Sequence, residues 1–505
     1  MSTAFTRRTA ITRRTALMAG LAPLATRALA QAGPFRVPRW GVFEASFNGP
    51  QSGNPFTEVT LGARFQHEHR TIDVDGFYDG GGTWRVRFSP DAEGEWTYTV
   101  RSNGIVDART TPFLCVPPDA GNHGPVAVRD TYHFGYADGA RYYPFGTTCY
   151  GWVHQGDALE EQTLATLRSS PFNKLRMCIF PKWYAFNHVE PPYYPFERTA
   201  AGAQDYSRFH PPFFQHLERR VAQLSQMGIE ADLILFHPYD HWGYSSMPAA
   251  VDDRYLRYTI ARLAAYRNVW WSLANEWDLV KTKTLADWNR FFHIVQEADP
   301  YGRLCSIHHS KVMYDHAKPW VTHASIQSDD FSKTQEWLDA FRKPVILDEC
   351  KYEGNIPQRW GNISAQEMVR RFWLGMTSGV YVGHGETYLD PHDVLWWGRG
   401  GTLHGESAPR LAFLRRIIEE GPGGLNPVPN AYFPCAAKAG EYYLYFLDYH
   451  QPAEYTFDLP ETAQFQADLI DPWKMTITKL EGTHRGKTLV KLPGAPGMAV
   501  RFRKA

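Results

Sequence analysis

Val269-Trp270-Trp271-Ser272-Leu273-Ala274-Asn275-Glu276 is the stretch on which the fold reading turns. Its first six residues are almost wholly apolar, too few for a helix, and stop abruptly at Asn275-Glu276. A short unbroken apolar run of this kind is a strand covered on both faces, as in a parallel sheet. Parallel strands need crossovers, and helical patterns flank the run on both sides. Seven further runs lie near 143–149, 174–180, 231–237, 304–308, 321–326, 344–348 and 380–384. Between them, Phe213, Leu217, Val221 and Leu224 share one helical face that ends at Gly228, and Ser364-Ala365-Gln366-Glu367 is a capping box opening the helix before the eighth run. Eight strand–helix units in roughly 280 residues predict a closed (β/α)₈ barrel, an α/β TIM barrel, rather than an open doubly wound sheet. No Gly-rich phosphate loop follows any run, so the dinucleotide-binding alternative lacks its main feature.

The flanks read differently. Over 31–117, Thr83-Trp84-Arg85-Val86-Arg87-Phe88 alternates apolar with polar, a turn follows at Ser89-Pro90-Asp91-Ala92-Glu93-Gly94, and Trp96, Tyr98 and Val100 repeat at period two. This predicts a β-sandwich before the barrel of 118–424. Strand patterns return near 441–447, 453–459, 465–470, 475–478 and 498–502, predicting a small β-domain over 425–505. The first 30 residues contain no acid, two Arg pairs, an apolar run over 16–25 and the exit Ala28-Leu29-Ala30. They read as a twin-arginine export signal around Arg13-Arg14, with a mature N-terminus near Gln31 and a periplasmic or secreted destination.

Lys and Arg total 53, as do Asp and Glu, and losing Arg7, Arg8, Arg13, Arg14 and Arg27 with the signal leaves 48 against 53. That mild acidity argues against nucleic acid as a partner, and no later segment is long and apolar enough for a membrane span. Six scattered Cys without a C-x-x-C pair indicate neither a zinc site nor a disulfide framework. An aromatic share of 15% exceeds what cores need and offers flat faces to sugar rings.

In a (β/α)₈ barrel the active site sits at the C-terminal ends of the strands. Those ends carry His237-Pro238-Tyr239-Asp240-His241-Trp242 after run three, Asn275-Glu276 after run four, His309 after five, Gln327 after six, Glu349 after seven and Glu386 after eight. Glu276 ends an apolar run at the rim, where partial desolvation raises a carboxyl pKa and fits it to protonate a leaving oxygen. Glu349 ends Lys343-Pro344-Val345-Ile346-Leu347-Asp348 in the same way. Glycoside hydrolysis with retention needs two such carboxyls close together, one acid/base and one nucleophile. Glu353 offers an alternative to Glu349, but it lies in the loop beside Gly354.

An Asn-Glu after strand four and a Glu after strand seven resemble the large clan of retaining barrel glycosidases that includes cellulases, β-galactosidases and β-mannanases. The order of β-sandwich, barrel and small β-domain across the mature chain is similar to that of the apiosidase-like glycosidases. The resemblance implies Glu276 as acid/base, Asn275 as a ligand of the sugar 2-OH, Glu349 as nucleophile and Arg176 as the cation beside it.

The other substrate-binding expectations come from position. Tyr352 is placed to hydrogen-bond a neighbouring carboxylate, and His237 to bond substrate. Of the adjacent His308 and His309, at most one faces the site. Glu386 either binds a sugar hydroxyl or tethers a loop. Trp396-Trp397, in a Gly-rich loop, form the sugar platform, with one of them packed beneath it. Modest loops bearing bulky aromatics predict a closed pocket and exo action on oligosaccharides or polysaccharide side chains. No cofactor and no metal are expected, so activity should survive EDTA. Two other functions compete: a non-catalytic carbohydrate-binding barrel, which has no need of two facing carboxylates, and a metal-dependent hydrolase built on His237, His241, His309 and Glu386.

Overall fold

The computed structural model describes residues 35–106, 109–392 and 395–505, so the export signal expected over 1–30 lies outside the described residues. The barrel strands are β1 (Gly146–Thr148), β2 (Lys174–Cys178), β3 (Glu230–Phe236), β4 (Val269–Ala274), β5 (Cys305–Ser306), β6 (Ala324–Gln327), β7 (Val345–Glu349) and β8 (Tyr381–His384). All pair in parallel, in the order β5-β4-β3-β2-β1-β8-β7-β6. The ring is a TIM-type barrel that is nearly closed. Between β5 and β6 the ladder gives way to a clasp in which Thr322 N–H donates to Cys305 O at 2.9 Å and Cys305 N–H donates to Thr322 Oγ1 at 2.8 Å.

β3 and β4 are buried at every residue, which accounts for their near-continuous apolar runs. The helices keep the faces read from their spacing. Pro211–Gln226 buries Phe213, Leu217, Val221 and Leu224, and Ser364 Oγ caps Ala365–Thr377 by accepting from Glu367 N–H at 3.2 Å. A small antiparallel sheet, Val126–Arg129, His133–Tyr136 and Arg141–Tyr142, precedes β1, and its Phe134 packs on Trp270, His323 and Tyr381.

Charge occupies the inside of the barrel. Lys174 Nζ lies 2.6 Å from Asp232 and 2.9 Å from Asp348, and Arg176 Nη1 lies 3.4 Å from Asp232, all four side chains being buried. Buried charges survive only when paired, and here two cations face two acids. Ser325 adds a hydrogen bond to Asp348 at 2.5 Å.

Before the barrel, a five-stranded sheet and a three-stranded sheet enclose Phe65, Val86, Phe88, Trp96 and Phe113, with the Phe65 and Phe88 rings stacked at 4.0 Å. This sandwich docks on the barrel through buried ion pairs, Arg262 to Asp79 at 2.7 Å and Arg87 to Glu218 at 2.8 Å. After the barrel, a six-stranded antiparallel sheet and the pair Glu454–Asp458 with Lys487–Lys491 enclose Phe457, Phe465 and Phe502. Cys435–Lys438 and Lys487–Lys491 are strands whose sequences carry too little alternation to stand out. Among the described residues no helix is long and apolar enough to cross a membrane, and all six cysteines are buried and unpaired.

Candidate active site

A cavity of about 270 Å³ opens at the C-terminal ends of the strands, and Glu276 and Glu349 both line it. Glu276 lies two residues beyond β4 with φ 52° and ψ 55°, a left-handed conformation that L-residues adopt at a cost and that recurs at functional positions. The turn is held because Trp277 N–H donates to His308 O at 3.0 Å and Asp278 accepts from the N–H groups of Ser310, Lys311 and Val312 at 2.7 to 3.0 Å. Glu349 is the last residue of β7. Two residues on, Lys351 is also left-handed, with φ 72°.

A run of close polar contacts connects the two carboxylates. The Tyr150 hydroxyl donates to Glu349 Oε1 and lies 3.1 Å from Asn275 Oδ1. Asn275 Nδ2 donates to Glu276 Oε2 at 3.3 Å, and that oxygen also accepts from the Tyr239 hydroxyl. Arg176 Nη2 donates to Asn275 Oδ1 at 3.1 Å, which fixes the amide so that its nitrogen faces Glu276. With its amide turned to suit its neighbours, Gln327 donates to His309 O at 2.9 Å and to Glu276 Oε1 at 3.3 Å. Burial and the charge of Glu276 push the Glu349 carboxyl up to about 7, against the opposing pull of the Tyr150 hydrogen bond, Lys182 and Arg176. Removing a carboxylate from water and setting a second beside it both favour the protonated form.

The residues expected at the site separate into two groups. Glu276, Glu349, Asn275, Tyr352 and Trp397 line the cavity. Tyr352 meets the Tyr150 hydroxyl at 3.4 Å rather than a carboxylate. Arg176 does not line it. It sits in mid-strand below the rim, and its ion pairs are with Asp232 and Asp348, so it acts on the site by orienting Asn275 and not as the direct partner of Glu349. His237 is buried, with Nε2 3.0 Å from Phe180 O and Nδ1 accepting from Tyr239 N–H at 3.2 Å, so its ring is engaged in shaping the β3 loop. Neither His308 nor His309 lines the cavity; both are buried. Trp396 lies under the loop with Nε1 donating to Thr147 Oγ1 at 2.8 Å.

Glu386 tethers a loop by accepting from the N–H groups of His404 and, at 2.9 Å, Gly405. Glu353 does the same for Glu406 N–H at 2.9 Å and Ser407 N–H at 3.3 Å, so it is not at the cavity. His237, His241, His309 and Glu386 do not converge. Among the described residues the groups able to surround a cation are Asp157 with Glu160 and His216, and Glu353 with His384 and Glu386, and neither lines the cavity.

The family model for the apiosidase-like catalytic domain matches residues 129–417, more than half of the chain. The chain belongs to the apiosidase-like family of glycoside hydrolases. Two domains of unknown function match at 36–103 and 432–503, on either side of the apiosidase-like domain. The solved structure of a Bacteroides vulgatus protein assigned to the glycoside hydrolases is 40% identical and superposes with a TM-score of 0.89, over 93% of this chain and 100% of that one. A glycoside hydrolase family 5 protein from Bacteroides vulgatus, 14% identical, shares the fold with a TM-score of 0.57, over 76% of this chain and 94% of its own. No curated protein matches the chain significantly.

Tyr150, Lys182, Tyr184, Tyr239, Asp329 and Trp360 also line the cavity of this apiosidase-like domain, beyond the residues expected there. Tyr150, Lys182 and Tyr239 each lie two to four residues beyond the end of a strand, and that offset was the available signal. Trp360 lies in the short 3₁₀ turn Arg359–Gly361, well past the end of β7, where no local pattern marks it.

Proposed function

We propose that this protein is a retaining exo-glycosidase that removes a terminal sugar from oligosaccharides or polysaccharide side chains. Glu276 serves as acid/base and Glu349 as nucleophile. The observation that carries the reading is that two carboxylates line one cavity, Glu349 accepting from Tyr150 and Glu276 accepting from Asn275 and Tyr239. With Glu349 held up at about 7, the pair keeps one proton near neutrality, and double displacement starts when that proton sits on Glu276 and Glu349 is ionised. Glu276 gives a proton to the leaving oxygen while Glu349 attacks the anomeric carbon; Glu276 then takes a proton from the water that cleaves the glycosyl ester. Asn275, its amide nitrogen turned to the cavity side, is suited to a sugar hydroxyl next to the reacting carbon. Trp397 and Trp360, packed at 4.9 Å between ring centroids, wall a space of about one sugar ring, which supports attack at a chain end. Export by the twin-arginine route would bring the enzyme to glycans outside the cytoplasm.

The test is to separate the two carboxylates. Glu349→Gln should abolish turnover whatever the leaving group. Glu276→Ala should still be glycosylated by aryl glycosides with good leaving groups, accumulate the intermediate and be rescued by azide with retained configuration. Mass spectrometry after a fluorosugar trap should place the label on Glu349. A label on Glu353, or full activity in either variant, refutes the assignment.

A further inference from the structure

Lys182 follows β2 by four residues and is 3% exposed. Its ammonium is enclosed by aromatic rings, with Tyr150 at 3.7 Å, Trp397 at 4.4 Å, Tyr239 at 4.5 Å and Tyr184 at 5.4 Å from the ring centroids. Aromatic faces stabilise the charge of an ammonium, but they do not satisfy its three N–H donors in the way an oxygen does. Among the described residues no side-chain or backbone oxygen accepts from Lys182 Nζ, and no carboxylate lies within ion-pair distance of it. Yet Lys182 lines the cavity. A buried ammonium open on the cavity side and lacking an oxygen partner is built for an oxygen that arrives with a ligand.

The charges around the cavity narrow the kind of ligand. Five charged side chains line it: Lys182, Glu276, Asp329, Glu349 and Lys351. Asp329 and Lys351 form an ion pair with each other and are each more than a third exposed, so water screens them. Arg176, beneath the floor, is matched with Asp232 and Asp348. The neutral phenols of Tyr150, Tyr184, Tyr239 and Tyr352 complete the surroundings. Lys182 is therefore the cation left to face the carboxylate pair, which holds one proton and one negative charge. A sugar carrying its own carboxylate would add a second negative charge to a buried space containing one available cation, and an uncompensated buried charge is expensive.

We propose that Lys182 donates to a hydroxyl of the bound sugar and, by balancing the single negative charge of the carboxylate pair, restricts the cavity to uncharged sugars. This rests on Glu276 and Glu349 being the reacting pair. It assigns Lys182 a specificity role that is separate from the two carboxylates.

Two measurements test it. The first is turnover of 2,4-dinitrophenyl glycosides of neutral pentoses and hexoses against the matching uronides. The wild-type enzyme should favour the neutral sugar by about a hundredfold or more, and Lys182→Met should lose about tenfold or more in kcat/KM on it. A preference for a uronide overturns the proposal. The second needs no substrate: the titration of Glu349, followed by ¹³C NMR of glutamate-labelled protein and identified by its absence in Glu349→Gln. In Lys182→Met and Lys182→Gln it should move up by about one pH unit, because a neighbouring positive charge has been removed. An unmoved titration in folded variants overturns the proposal. Loss of turnover in Glu349→Gln beside unchanged kinetics and titration in Lys182→Met would refute the role of Lys182 alone, whereas an active Glu349→Gln would refute the catalytic pair itself.

Discussion

Glu349 and Glu353 are four residues apart and chemically identical, yet their surroundings assign them different work. Glu349 ends a strand, faces the cavity and accepts from one phenol; Glu353 accepts from a phenol and two backbone N–H groups at the start of the helix Ser407–Glu420. Glu353→Gln should therefore lower thermal stability, by about 1–3 kcal/mol, through loss of charge-assisted bonds to backbone N–H. It should leave the fluorosugar label on Glu349. A variant as stable as wild type but devoid of turnover would reverse these roles. The raised titration of Glu349 has a kinetic counterpart. Since the pair loses its retained proton as pH passes about 7, kcat/KM should fall on the alkaline side with an apparent pKa near that value. A profile flat to pH 9 would contradict it.

At the scale of elements, the cavity wall depends on close approach between the segments that follow β7 and β8. Gly385 lies against the Tyr352 ring so tightly that a Cβ built on it would fall 2.1 Å from Tyr352 Cδ1, and Gly385 O accepts from Glu353 N–H at 3.1 Å. The neighbouring peptide is thus pinned while the ring sits where a side chain would go. Gly385→Ala should push Tyr352 into the cavity, cost about 1–3 kcal/mol from overpacking and reduce kcat/KM by about tenfold or more. Tyr352→Ala should cost less stability in the Gly385→Ala background than in the wild type, because removing the ring there also relieves the clash, and should not restore activity. If Gly385→Ala is neutral by thermal unfolding, the tight contact has no energetic weight.

For the whole molecule, buried titratable groups set the pH response. His154, His237, His309 and His323 are pushed down to about 4 by burial, His316 and His384 to about 3, and His308 well below its ordinary value. Each folded-state value lies below the unfolded 6.5, so the stability tied to neutral imidazole is present above 6.5 and is lost as pH falls through the folded value. Glu230, Glu349 and Glu386 act in the opposite sense: burial raises them from 4.5 to about 7, so their contribution is full below 4.5 and lost as pH rises through 7. Seven histidines outweigh three glutamates over the range they share. Tm should rise steeply from pH 4 to about 6.5 and then level or decline slightly toward 7.5. A Tm maximum at or below pH 5, in a differential scanning series, would show that the histidines do not govern acid stability.

The barrel and the carboxylates at its rim were legible in the primary structure because they depend on local and periodic chemistry. Strands covered on both faces are largely apolar, with charge admitted only where it is paired as in Lys174, Arg176, Asp232 and Asp348, and polar residues that close such a run, like Glu276 and Glu349, stand at its rim. His237 and Glu386 lie just beyond strand ends, Arg176 in mid-strand and Trp396 well past β8, but the work of all four was decided by partners remote in sequence: Asp232 and Asp348 for the arginine, Phe180 O for His237, Thr147 for Trp396, and the 404–405 loop for Glu386. Lys182 is the sharpest case. In the sequence it is a lysine after a proline, and only the tertiary structure brings the rings of Tyr150, Tyr184, Tyr239 and Trp397 around it, because burying an ammonium takes groups from several βα loops at once.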